Sequence, residues 1–385
     1  MLKDKLRRKD IKSSFLFLLA LPFAFVKRIF NRNIWLVSER PQEARDNGYW
    51  FFKYVRENHP KQKIYYVITK NAADLKKIEQ YGNIVYYNTF RHYVIYLASK
   101  LHISAHIDSD SPNSRVSNFL ETHGLLKNKK IFLQHGITKD KISFGYYSCS
   151  RADLFVCAAK PEWEFCRQEF GYPEGSVQLL GFARFDGLDV KEVKRQILLM
   201  PTWRAWLANS LEKDFKESEY WKRYISFLKN EELNHFLERE QLQLIFFPHA
   251  DMQPYLGIFS SENKNIVIAN AKNYEVQSLL KESLVLITDY SSVAFDMAYM
   301  DKPLCYYHFD YEDYRKGQHP EGYFSYERDG FGPIVQTETD IIKFLEDCAK
   351  NEFKLDQEYQ LRANSFFTLK DKNNCRRIFD AIKKI

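Results

Sequence analysis

Short apolar runs recur along the chain, separated by longer stretches whose apolar positions fall three and four residues apart. The runs at residues 34–37, 63–69 (KIYYVIT), 83–87, 101–107, 130–134, 154–158 and 177–180 are brief and rich in Val, Ile, Tyr and Phe, which predicts strands. Between them, a stretch capped by Asp46 or Asn47 and running through Tyr54 and Val55, residues 74–80 and 92–100, and a segment opened by Lys160-Pro161-Glu162 read as helices. After a charged stretch at 186–195 the pattern restarts. Strands are predicted at 196–200, 243–247, 265–269, 284–287 and 303–307, and helices at 218–238, 274–281, 341–349 and through much of 359–385. Such alternation implies mostly parallel sheets covered by helices on both faces. The fold class is therefore α/β, with two Rossmann-like, doubly wound domains at 33–188 and 189–360 and a helical C-terminal segment at 361–385. Sheets of this kind take their ligands outside the carboxyl ends of the strands.

Residues 1–32 break the pattern. Lys3, Lys5, Arg7, Arg8, Lys9 and Lys12 precede an apolar run at 15–26, and Lys27, Arg28 and Arg32 follow it. The run is shorter than the roughly 20 apolar residues of a spanning helix. No small-x-small cleavage site follows it. The expectation is a membrane-associating segment on the cytoplasmic face of the cell membrane, peripheral, with phenylalanines and leucines in lipid and basic residues on anionic headgroups. Pro22 is expected to kink or divide its helix.

Composition narrows the function classes. The chain is 45% hydrophobic and 28% charged, as a globular protein is. A net charge of +7 suits an anionic partner. Zinc-finger spacing, aromatic RNA-binding signatures and Arg-rich tails are missing, so nucleic acid is not expected. The six cysteines form no C-x-x-C pair and read as reduced thiols.

Polar residues cluster at five predicted strand ends: Gln134-His135-Gly136, residues 181–186 (GFARFD), residues 201–204 (PTWR), Pro248-His249, and residues 288–292 (TDYSS). In LVLITDYSS a buried strand breaks at Asp289 and two serines open a helix. That turn suits either a capped helix or an anion held on helix N–H groups. Asp108-Ser109-Asp110 resembles a D-x-D metal loop, but two carboxylates rarely hold a divalent ion alone, so a turn is expected and no metal or cofactor. His308, His319 and Glu321 are expected to be solvated loop residues.

Together these clusters resemble the CDP-glycerol glycerophosphotransferase family, which primes and polymerises wall teichoic acid and related polymers. The family's H-G is matched by His135-Gly136. Its G-x-P-R-x-D is matched by residues 181–186, with Ala183 in place of proline. P-T-W-R is matched by residues 201–204, its following histidine by His249, and T-D-Y-S-S in full by residues 288–292. Phe295-Asp296, Lys302-Pro303, Asp310, Tyr314-Arg315, Gly322-Tyr323 and Gly332-Pro333 resemble its downstream pattern. The similarity covers roughly residues 34–350.

The resemblance implies a GT-B fold. It also implies transfer of a polyol phosphate from a CDP-polyol donor to a hydroxyl of a lipid-linked or polymeric acceptor. His135 is then the candidate base. His249, the second catalytic candidate, is expected on the pyrophosphate together with Arg204, Ser291 and Ser292. Thr288 and Asp289 are expected in the donor site, with Asp289 either orienting His249 or binding polyol hydroxyls. Arg184 either reaches phosphate or bonds to Asp186 or to the sheet edge. Two other readings stay open: a GT-B glycosyltransferase using a nucleotide sugar, and a non-catalytic homologue that binds wall polymer.

Overall fold

The computed structural model describes residues 7–190 and 192–385, so Lys3 and Lys5 of the basic cluster lie outside the described residues. Contacts divide the chain into two compact units. One comprises Met1–His135, Ser143–Gly187 and Asp371–Ile385; the other comprises Gly136–Ile142 and Leu188–Lys370.

The first unit holds a seven-stranded parallel sheet. Its strands are β1 (Ile34–Ser38), β2 (Lys63–Ile68), β3 (Ile84–Tyr86), β4 (Leu101–Ser104), β5 (Lys129–Phe132), β6 (Leu154–Cys157) and β7 (Val177–Leu179). The order is β3-β2-β1-β4-β5-β6-β7. The strand order reverses between β1 and β4, which in doubly wound sheets opens the ligand crevice. β1 and β6 are buried at every position, the continuous apolar reading of a strand covered on both faces. The last helix, Asn374–Ile382, belongs to this unit. Its first N–H groups are met by the Asp186 carboxylate, which accepts from Asn374 N at 3.0 Å and Cys375 N at 2.8 Å. Phe379 on that helix stacks on His59 at 3.7 Å.

The second unit repeats the plan with β8 (Gln196–Met200), β9 (Gln243–Phe246), β10 (Ile266–Ile268), β11 (Val285–Thr288), β12 (Leu304–Tyr307) and β13 (Ile334–Val335). The order is β10-β9-β8-β11-β12-β13, all parallel, with the reversal between β8 and β11. β13 has two residues, too few to leave a pattern. The region 218–238 is two helices, Glu219–Leu228 and Glu231–Arg239, because Asn230 caps the second through Leu233 N.

The N-terminal segment is one helix, Arg8–Phe30, of 23 residues. Pro22 lies inside it without dividing it, and the helix extends past the apolar run into both basic flanks, so its length and apolar content suffice to cross a membrane. One stripe, Asp10, Ser13, Phe17, Ala20 and Ala24, is buried. Phe17 meets Tyr93 edge-on at 5.0 Å, and Arg28 donates to Ala98 O and Ser99 O at 3.2 Å each. These contacts lay the helix along Phe90–Ala98. The opposite face exposes Ile11, Phe15, Leu18, Val26 and Ile29, each half or more open.

Candidate active site

In the second unit the clusters at 201–204 and 288–292 meet at the reversal point, because β8 and β11 are paired neighbours. Thr288 is buried and donates its hydroxyl to Met200 O at 2.7 Å. The buried Asp289 accepts from Thr202 N at 2.8 Å and from Tyr290 N at 2.6 Å. Arg204 is fully buried. Its Nη1 meets Asp289 Oδ2 at 2.9 Å, and Nε and Nη2 grip Asp310 at 2.7 and 3.0 Å. Tyr290 donates to the same Asp310 at 3.0 Å; burial, with Asp310 and Asp289 beside it, pushes its hydroxyl far up, so it donates as a neutral phenol. A guanidinium committed to two carboxylates is a brace for the strand ends, and Arg204 here presents no side chain to solvent. His308, expected in solvent, is buried: it stacks on Tyr290 at 4.6 Å, and burial pulls its imidazole down to about 4.

What this brace leaves accessible is the serine pair. Ser291 and Ser292 are half-buried and precede the helix Val293–Tyr299. The Ser291 hydroxyl accepts weakly from Val293 N at 3.4 Å. His249 follows β9, the other neighbour of β8. Its Nδ1 accepts from Asp251 N at 3.2 Å and lies 3.4 Å from Asp251 Oδ2. The ring stacks on Trp203 at 6.1 Å and is partly exposed.

His135, in the first unit, is exposed at the end of β5, and an unusual turn sets it there. Gln134 adopts φ +59°, a left-handed conformation uncommon outside glycine. Four hydrogen bonds hold that residue and its neighbour. Asn47 Nδ2 donates to Gln134 O at 2.7 Å and Leu133 O at 3.3 Å, and Gln134 Nε2 donates to Val156 O at 2.7 Å and Glu162 at 3.0 Å. Arg184 does not pair with Asp186. Its Nη1 meets Asp46 and the carbonyl of His135, both at 3.0 Å. The His135 ring lies parallel to His106, centroids 4.6 Å apart. His106 was hidden in the sequence: β4 ends at Ser104, not at residue 107, so a strand-end histidine looked like a strand interior.

Asp108 and Asp110 point to different partners: Lys130 reaches Asp108 at 3.1 Å, and buried Asp110 meets His102 at 3.0 Å. Among the described residues no cluster of three His, Cys, Asp or Glu has metal-ligand geometry.

Residues 136–142 belong to the second unit. Asp140 pairs with Lys139 and with Arg315, the latter at 2.7 Å. Burial opposes its charge, yet these two cations keep its carboxyl below the ordinary range. Lys141 N donates to Pro320 O at 3.1 Å. Gly322 packs so closely on Lys139 O that no side chain fits, and a methyl on Gly136 would lie 2.5 Å from Ser292 Oγ. The glycine after His135 is thus a close-approach residue.

The model of the CDP-Glycerol:Poly(glycerophosphate) glycerophosphotransferase family matches residues 19–384. The chain belongs to this family. It is 34% identical over 398 residues to the minor teichoic acid biosynthesis protein GgaB of Bacillus subtilis (strain 168), covering 100% of this chain and 43% of that protein. It is 22% identical over 417 residues to the teichoic acid poly(glycerol phosphate) polymerase of the same organism, covering 100% and 52%. The chain spans about half the length of these curated relatives. Among solved structures, the wall teichoic acid polymerase TagF matches with a TM-score of 0.70 at 18% identity, over 98% of this chain and 95% of that one. That likeness gives this chain of the family the GT-B fold.

Proposed function

We propose that this glycerophosphotransferase-family chain moves a polyol phosphate, glycerol phosphate foremost, from a CDP-activated donor to a hydroxyl of a lipid-linked or polymeric acceptor in the synthesis of a teichoic-acid or capsule-type polymer. The observation that carries the reading is the accessible Ser291–Ser292 pair at the reversal point of the second sheet, where doubly wound folds hold nucleotide phosphates. The acceptor oxygen attacks the β-phosphorus, the bond from that phosphorus to the bridging oxygen breaks, and CMP leaves with the bridging electrons. His135 takes the hydroxyl proton. Ser291, Ser292 and His249 hold the pyrophosphate and the charge that grows on CMP. Arg204, Thr288 and Asp289 position those strand ends from beneath, and Arg184 positions His135 through its carbonyl. No metal or cofactor takes part in this reading. The exposed apolar face of Arg8–Phe30, with its basic ends, seats the chain on an anionic membrane surface on the cytoplasmic side.

The test incubates the protein with CDP-glycerol, CDP-ribitol and UDP-sugars. Release of CMP with product mass raised by one polyol phosphate is expected. UDP release would make it a glycosyltransferase, and no release from any donor would make it a binding homologue. His135→Ala abolishes transfer and leaves CDP-glycerol binding nearly intact; lost binding with intact chemistry refutes the base assignment.

A further inference from the structure

A cavity of about 510 Å³ opens in the first unit beside the start of the Arg8–Phe30 helix. Arg7, Lys9, Lys12 and Arg115 line it, with Asn113 and Ser114. Among the described residues Asp10 is the one carboxylate on its wall, and it accepts from Arg7 N, Asn113 Nδ2 and Arg115 Nη1 at 3.1, 3.1 and 3.2 Å. The hydrogen bond from Asn113 holds its carboxyl below the ordinary range. No ion pair engages Arg7, Lys9 or Lys12 among the described residues. Two helices of 23 and 9 residues start at the cavity, at Arg8 and Ser114, and their N-termini add positive potential. The exposed apolar stripe begins beside it at Ile11 and Phe15, which are both 60% exposed. Cations surplus to the local carboxylate, in a polar pocket of ligand-binding size, with an apolar stripe leading away, match one kind of molecule: an anionic headgroup joined to acyl chains.

We propose that this cavity binds the phosphodiester of an anionic glycerophospholipid while the adjacent stripe enters the acyl layer. The proposal rests on the membrane seating above and names its ligand. Being apolar, the stripe alone provides binding without charge preference; the cavity makes the binding selective.

The full chain is sedimented with vesicles of phosphatidylcholine, with and without phosphatidylglycerol. Wild type is expected to prefer phosphatidylglycerol. Arg7→Ala/Lys9→Ala/Lys12→Ala lowers that preference by about fivefold per charge and keeps the phosphatidylcholine binding. Lys27→Ala/Arg32→Ala, at the far end of the helix, costs less per charge removed than the cavity set. Ser114→Trp plugs the cavity at an exposed position without changing charge and removes the preference, with CMP release in solution intact. A plug that leaves the preference whole, or equal losses per charge at both ends of the helix, overturns the cavity and leaves membrane seating standing. No binding to either vesicle overturns both. Displacement by soluble glycerol 3-phosphate as effective as that by phosphatidylglycerol vesicles makes the ligand a free anion and sinks the lipid assignment.

Discussion

The imidazole of His106 lies parallel to that of His135, planes 10° apart and centroids 4.6 Å apart. Two imidazolium ions at that separation repel by on the order of 4 kcal/mol at an effective dielectric of about 20, so the pair carries one proton at most near neutrality. Burial, then the neighbouring His135, pulls His106 down to about 2. Burial keeps His106 neutral, a plate that fixes the plane of the exposed His135 ring. His106→Phe keeps a plate and is expected to retain most activity. His106→Ala is expected to lower kcat by on the order of 10–100-fold, since loss of orientation costs that much, with the donor KM unchanged. The acid limb of the pH–rate profile moves in the alanine variant alone. Equal damage from both variants removes the stacking role.

Gly136→Ala tests the packing of the post-histidine segment on Ser292. Its methyl meets Ser292 Oγ at 2.5 Å and Cβ at 3.1 Å, so the serine must turn away from the position it holds. The donor KM is expected to rise by about tenfold, in keeping with roughly 1–3 kcal/mol for an overpacked contact, with a small change in melting temperature. Ser292→Ala should show a similar KM effect without the clash, and an unchanged KM in both removes the donor role of this hydroxyl.

Arg204→Met leaves Asp289 and Asp310 buried without their cation. Breaking a buried pair in this way costs about 3–5 kcal/mol. Urea unfolding should show the loss. The added change Asp310→Asn should recover part of it, because it removes one of the stranded charges. A single variant that stays stable but loses only donor affinity would return Arg204 to direct phosphate contact.

Acid should weaken the fold through two buried histidines. Burial draws His92 and His308 each down to about 4, against about 6.5 in an unfolded chain. His92 Nδ1 accepts from Asn88 N at 3.1 Å, and Nε2 faces Asp110 O at 2.7 Å, so a second ring proton would point N–H at N–H. Both groups favour folding fully above pH 6.5, and that contribution is lost as pH falls through the 6.5–4 window. The unfolding free energy measured in urea should fall across it, by roughly 3 kcal/mol per histidine at the limit, and the midpoint with it. His92→Gln should flatten the slope; a midpoint constant from pH 7 to 4.5 contradicts the neutral assignment.

Lys302 anchors a helix end. Its Nζ donates to Leu280 O, Lys281 O and Ser283 O at 3.0, 2.6 and 2.7 Å, closing the last turn of Val276–Glu282. Lys302→Met keeps the stem and orphans those carbonyls. A loss of about 1–3 kcal/mol is expected in thermal unfolding, with the donor KM little changed.

The strands and their polar ends were legible because alternation, short apolar runs and turn chemistry are local properties of sequence. Which end residues face ligand was not. Arg204 and Ser291 both close apolar runs, yet one is enclosed by Asp289 and Asp310 while the other is accessible. That difference depends on Asp310, over a hundred residues away from Arg204. Arg184 likewise chose Asp46 over the nearby Asp186, whose carboxylate is occupied by the last helix. Pro22 failed to break its helix because the flanking turns are anchored through Phe17 and Arg28.

The chain passes between its two units four times, after His135, Ile142, Gly187 and Lys370. Neither unit is therefore a continuous stretch that a single cut can release. A fragment ending at Gly187 would carry residues 136–142 without the Arg315 that pairs with Asp140, and Asp186 without the helix it caps. A fragment beginning at Leu188 would carry that helix as an unpartnered tail. Splitting the protein at its domain junction should give two insoluble halves, and mixing them should restore neither unless both are present as they fold.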